Sequence, residues 1–192
     1  MVLNSRALRA RLHGRPEGDD GFTLIELLVV LLIIGILLAI AIPTYLAVTN
    51  AANNTVSQDN LQTALTGAKV YYTNSGQTYS NVTAPGGLTS DIQQIATGLS
   101  YTTTISSTGP HVVSVYTPST GTYLILTALS KGTNDCWGIV DIPTEQSTPV
   151  QGSYGPGTSF FVVRRTASCN AATYAAGGTA ASATSTTGFP AG

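Results

Sequence analysis

Few side chains in this 192-residue sequence are equipped for chemistry, and they stand far apart. Glu26 is the one acid in a run from Phe22 to Ile42 whose only other polar side chain is Thr23. At the centre of a bilayer helix a charge costs about 2.5–3.5 kcal/mol, so such a carboxylate calls for a partner. In a first helical turn near the interface, water and the helix dipole would ease it instead. Cys136 and Cys169 are the two thiols. In an exported domain a lone pair reads as a disulfide, and closing a loop of ~33 residues would contribute about 3–4 kcal/mol. His111 is the single histidine after Gly21 and lies in a strand-like run, where an isolated imidazole is far more often structural than catalytic. The sequence offers no second histidine or thiol cluster at zinc spacing, no glycine-rich phosphate loop and no nucleophile elbow. It therefore predicts no enzyme, no cofactor and no metal site.

Charge is scarce and uneven. Charged residues make up 9% of the chain, and four of the eight basic ones (Arg6, Arg9, Arg11, Arg15) lie in the first fifteen positions. Beyond Gly21 only Lys69, Lys131, Arg164 and Arg165 remain, against Glu26, Asp59, Asp91, Asp135, Asp141 and Glu145. That balance gives no electrostatic footprint for nucleic acid. Serine, threonine, glycine and alanine dominate instead, so the surface is polar through hydroxyls and amides. Asn81-Val82-Thr83 is formally a glycosylation acceptor, a motif too common to carry weight.

The element that holds Glu26 is the apolar run itself. Its 21 residues would rise through roughly 31 Å as a helix, the thickness of a hydrocarbon core. Arginines precede it and none follows closely, which places the amino terminus in the cytoplasm and the remainder outside. The run is too long for an ordinary secretory signal and ends at Ile42-Pro43 without a small-residue cleavage site.

Gly21-Phe22-Thr23-Leu24-Ile25-Glu26, with a short basic leader before it and an apolar helix after it, resembles the class III signal of type IV prepilins and related pseudopilins. The resemblance implies that a membrane prepilin peptidase cuts between Gly21 and Phe22 and methylates the new amino-terminal Phe22. It implies that the carboxylate of Glu26 neutralises the Phe22 amine of a neighbouring subunit and so sets assembly register. Gly35 and Pro43 fall at the family's helix-loosening positions; each weakens a regular helix, by about 1 and about 3 kcal/mol respectively. The family also implies an assembly platform with its cytoplasmic ATPase, and many members staple a carboxy-terminal loop with a disulfide, here Cys136 with Cys169.

The amphipathic stretch after Pro43 carries Leu61, Leu65, Ala68 and Tyr72 on one stripe. It extends one helix to about Asn74, roughly 80 Å in all, ended by Asn74-Ser75-Gly76. Asn53-Asn54-Thr55 is a polar patch where this helix is expected to fray or bend. Tyr71-Tyr72 is expected to pack on a following sheet. After a loop at Pro85-Gly86-Gly87, Leu88, Ile92 and Ile95 mark a short helix with Ser90 and Gln93 at capping-box spacing. Strand-like runs follow at Tyr101–Ser106, His111–Thr117, Thr122–Leu129, Cys136–Ile142 and Thr158–Arg165. They predict an antiparallel meander of four or five strands. The small-residue stretch after Asn170 has little to bury and is expected to be a flexible tail.

The expected architecture is α+β, a long amino-terminal helix on a carboxy-terminal antiparallel sheet, the type IV pilin fold. Its parts are a leader at 1–21, a helix at 22–76 (membrane or filament core to 43, amphipathic from 44), a head at 77–170 and a tail at 171–192. The expected function is a structural subunit, major or minor, of an extracellular type IV pilus serving adhesion or motility. The precursor would wait as a single-pass protein of the cytoplasmic membrane. Alternatives are a secretion-system pseudopilin, whose head would bind calcium, and a competence pilin for DNA uptake. Asp135, Asp141 and Glu145 give calcium thin support, and the few basic residues argue against direct DNA affinity.

Overall fold

The computed structural model describes residues 21–81, 87–144, 154–175 and 181–190. The leader before Gly21, Pro85-Gly86, Val82-Thr83 and Glu145 lie outside the described residues. The chain divides after Thr44 into two compact units.

The first unit contributes the start of helix α1 (Leu24–Asn74), which is unbroken across Gly35, Pro43 and the Asn53-Asn54-Thr55 patch. Every side chain from Phe22 to Ala47 is exposed. By length and composition α1 is able to cross a membrane.

The second unit is built on the amphipathic half of α1. Leu61, Ala64, Leu65, Ala68 and Tyr71 are buried at spacings of three or four along one face, with Ala64–Leu65 adjacent. Tyr71, not Tyr72, completes the buried stripe: its hydroxyl donates to the Ser80 carbonyl at 2.7 Å, while the half-buried Tyr72 ring lies 4.8 Å from that of Tyr79. The helix stops where expected. Gly76 adopts φ of 69°, and the Gln77 amide reaches back to the Tyr72 carbonyl at 3.0 Å, closing a Schellman turn.

A short α2 (Leu88–Ile95) follows, then β1 (Ser100–Thr102), β2 (Val112–Tyr116), β3 (Leu124–Leu129), β4 (Cys136–Ile142), β5 (Gly157–Val163), α3 (Ala171–Ala175) and β6 (Ala183–Ser185). The six strands lie in sequence order in one sheet. Four pairings are antiparallel, but β1 pairs with β2 in parallel, so the sheet is not a simple meander. Side-chain alternation identifies a strand without stating which way its neighbour runs. Here residues 103–111 double back between the two, pinned where the Ser107 hydroxyl accepts the Leu129 amide at 2.8 Å. The first strand therefore ends at Thr102, short of Ser106.

Both faces of the sheet are covered. Leu124, Leu126, Ala128, Trp137, Ile139 and Val162 join α1 and α2 in one core. Ile125, Val140, Ile142 and Phe161 join Ala171 and Tyr174 of α3 in a second. Gly138 makes the second possible. It faces Phe161 across β4 and β5, and a methyl group there would overlap the ring, which instead lies over the strand with its centroid 5.2 Å from Tyr174.

Two expectations need correction. Ser90 is inside α2, which begins at Leu88 after Gly87 and has no side-chain cap; the Gln93 amide instead donates to the Leu99 carbonyl at 2.7 Å. The stretch after Asn170 is not a free tail in its described parts. Its backbone extends the sheet through β6, and Phe189 sits edge-on to Trp137 and Phe160, at 5.8 and 4.9 Å. Main-chain hydrogen bonds and one aromatic ring supply what the small side chains do not.

The Tyr101 hydroxyl is buried without a hydrogen-bond partner, and burial pushes its ionisation well above the ordinary tyrosine range. An unmatched buried hydroxyl costs about 1–3 kcal/mol, so Tyr101→Phe is expected to match or exceed the parent in urea unfolding. A raised folded pKa means the stability is complete below about pH 10 and drains away as pH climbs past it. The variant should accordingly lose less stability than the parent between neutral and strongly alkaline pH. Equal loss in both, or a clearly weaker variant, contradicts this account.

Candidate functional site

Glu26 sits on the third residue of α1, and its local partner is Thr23. Glu26 Oε2 accepts the Thr23 amide at 2.9 Å and the Thr23 hydroxyl at 2.7 Å, while the Glu26 amide donates to Thr23 Oγ1 at 3.3 Å. This is a capping box: two orphan donors at the start of the helix are satisfied reciprocally. The Thr-x-x-Glu spacing at 23–26 is the local sequence signal for it, embedded at the edge of the apolar run. Both bonds fall on Oε2, and the residue faces solvent.

Gly21, Phe22 and Thr23 precede the helix. Among the described residues nothing lies within 4 Å of where a Gly21 side chain would be, and Phe22 is 89% exposed. The Gly21-Phe22 junction is thus an accessible, non-helical peptide. Gly35 and Pro43 are both helical and exposed. Pro43 has no amide to give the Ala39 carbonyl, and the Thr44 hydroxyl bonds the next carbonyl, of Ile40, at 3.0 Å.

In the second unit the polar residues dock elements onto one another. Asn54, expected to loosen α1, instead accepts from Trp137 Nε1 at 3.3 Å and from the Thr133 hydroxyl at 3.0 Å. Asn60 Nδ2 donates to the Pro110 carbonyl at 2.9 Å and lies 3.2 Å from His111 Nδ1. His111 is thereby a structural neighbour of α1. Asp141, buried on β4, accepts from Tyr79 at 2.6 Å and Thr158 at 2.5 Å and pairs with Lys69 at 3.3 Å. Burial, with the Asp141 hydrogen bond adding to it, pushes the Tyr79 hydroxyl far above its ordinary range. Asp135 accepts the Arg165 amide at 2.9 Å and faces Arg164 at 3.7 Å. The two aspartates invoked for calcium are therefore engaged with different cations, and among the described residues no group of three or more His, Cys, Asp or Glu gathers for a metal.

Cys136 and Cys169 form a disulfide, with S–S 1.98 Å and Cα–Cα 5.3 Å. It ties the start of β4 to the segment entering α3. That segment is further held by the Ser107 amide and the Thr127 hydroxyl on the Cys169 carbonyl, at 2.8 and 3.3 Å, and by the Ala171 amide on the Ser114 hydroxyl at 3.1 Å.

Residues 19–42 match the family model described as the prokaryotic N-terminal methylation motif. Neither the curated proteins nor the solved structures give a match to the chain. The matched segment is the class III signal typical of type IV pilins and pseudopilins. With a long helix on a mostly antiparallel sheet, the chain is pilin-like in fold as well as in signal.

Proposed function

We propose that this pilin-like chain is a structural subunit of an extracellular type IV pilus, held in the cytoplasmic membrane by α1, trimmed between Gly21 and Phe22, methylated on Phe22, and polymerised through the same helix. The observation that carries the reading is the apolar segment from Phe22 to Ile42, exposed throughout and preceded by an accessible junction inside the matched motif. So large an unpartnered apolar surface needs lipid or other helices around it. Lipid serves the stored precursor and neighbouring subunits serve the fibre, so one surface supports both states. Prepilin peptidase performs the cut, and the assembly platform with its ATPase drives extraction. Adhesion or motility then belongs to the fibre.

Gly35 and Pro43 loosen α1 when neighbours replace lipid around it. Sheared surface fibres are expected to contain this chain, as a major or minor component, beginning at methylated Phe22. An intact Met1 start, a cut elsewhere, or a cell-surface fraction free of the chain would remove the proposal. Recovery only in short periplasm-spanning assemblies of a secretion system would move it to the pseudopilins.

A further inference from the structure

Three of the four basic residues in the second unit collect at one end of its sheet. The turn between β3 and β4 carries Lys131, the turn after β5 carries Arg164 and Arg165, and all three are exposed. The turns are tied together where the Thr166 amide donates to the Asn134 carbonyl and the Arg165 amide to the Asp135 carboxylate, each at 2.9 Å. The first turn is seated on α1. Gly132 lies so close to Asn50 that a methyl group there would collide with it, and the Thr133 hydroxyl donates to Asn54 at 3.0 Å. The result is a cleft of about 360 Å³ lined by Asn50, Gly132, Thr133, Asp135, Arg164 and Arg165. Asp135 is the one acid in that lining, and it is buried against Arg164. Three cations against one anion leave this end positive, and among the described residues Lys131 and Arg165 enter no ion pair.

The position of the cleft along α1 says what this charge meets. Asn50 stands eight residues beyond Ile42, about 12 Å of helix at ~1.5 Å each. Headgroups add roughly 5–8 Å to each side of a hydrocarbon core, and at physiological salt a charge is felt over about 8 Å. Between Ile42 and Asn50, Tyr45 is 70% exposed, an aromatic ring at the level where such rings sit at a membrane surface. The phosphate layer is therefore the nearest dense array of negative charge to the cleft. Its chemistry fits, since guanidinium forks bind phosphate oxygens in pairs and the cleft has room for a small headgroup. Lys69, the fourth cation, is about 29 Å further along α1 than Asn50 and is engaged with Asp141.

We propose that Lys131, Arg164 and Arg165 dock the second unit on anionic phospholipids of the outer leaflet while the precursor is stored, with a lipid phosphate entering the cleft. The inference rests on the reading of α1 as the membrane anchor. Extraction into a fibre has to break this contact, so the charge of the leaflet sets how firmly the stored subunit is held.

The test reconstitutes the full chain in vesicles of phosphatidylcholine, with or without phosphatidylglycerol, and follows hydrogen exchange of the backbone amides at 131–134 and 164–166. The amides at 74–77 serve as the reference. Phosphatidylglycerol is expected to slow exchange in both turns by at least about fivefold and to leave the reference unchanged. At 1 M salt, where screening falls to about 3 Å, the slowing should vanish. Lys131→Gln with Arg165→Gln should bring exchange to within about twofold of its rate in neutral vesicles, with the disulfide and Tm retained. Equal exchange in the two vesicle types overturns the docking, and slowing that survives in the double variant overturns the assignment to these side chains. The same slowing in neutral vesicles on addition of inorganic phosphate replaces the lipid by a free anion. A chain that fails to float with either kind of vesicle shows instead that the anchor reading has failed, and the docking with it.

Discussion

Glu26→Ala is expected to abolish fibre formation while membrane insertion and trimming at Gly21-Phe22 continue. Trimming as proposed would leave an α-amine at Phe22 that is largely protonated at neutral pH. Transfer of α1 from lipid into a bundle would bury that amine, and an uncompensated buried charge costs about 3–5 kcal/mol. At about 1.4 kcal/mol per tenfold, each contact weakens by more than a hundredfold, and a polymer needs the contact at every step. The capping box introduces a rival explanation, because alanine also removes the partner of Thr23. Loss of a cap costs about 0.5–2 kcal/mol of helix stability and leaves the charge pairing available. Thr23→Val separates the two. It deletes the hydroxyl that bonds Glu26 but keeps the carboxylate, so it should assemble at a reduced level where Glu26→Ala does not assemble at all. The measurement is fibre yield beside mass analysis of the membrane-held subunit. Parent-level fibres from Glu26→Ala, or equal failure of both variants, would defeat the pairing.

Cys136→Ala with Cys169→Ala is expected to cost about 3–4 kcal/mol, the value of closing a ~33-residue loop. For a body of this size that is a fall of about 10 °C in Tm. The bridge does more than shorten the unfolded chain. It holds the segment whose carbonyl at Cys169 accepts from Ser107 and Thr127, and whose α3 covers the outer face of the sheet through Tyr174. Both cysteines are fully buried, so alanine is preferred to serine, which would add unmatched hydroxyls. Thermal unfolding of the purified full chain in detergent, with and without reductant, reads the effect. The reduced parent should unfold alongside the double variant. A variant within about 2 °C of the oxidised parent would show that the bridge adds little.

Long-range periodicity and short local motifs were legible without coordinates. The 21-residue apolar run, the basic stretch before it, and the Asn74-Ser75-Gly76 stop announced α1 and the neighbourhood of its carboxy end. Strand β4 was bounded correctly because its apolar run is flanked by turn residues on both sides. The capping box at Thr23 was equally local and was there to be read. What alternation and composition left open was pairing. Nothing in Tyr101 says that its strand runs parallel to the next, and nothing in the alanine-rich end says that residues 183–185 add an edge to β5.

The sequence by itself determined that one acid stands at the head of an apolar helix, that a glycine-phenylalanine junction precedes it, and that two thiols are available to bridge. These follow from residue type and near-neighbour spacing, which act within a few turns of chain. Only the tertiary structure decided that Asn54 docks α1 on Trp137, that Asp141 gathers Tyr79, Thr158 and Lys69, and that Phe189 closes on Trp137. Those partners lie from 17 to 83 residues apart, and such pairs form only once burial has made an unmatched polar group or an uncovered ring more costly than the order that matches it.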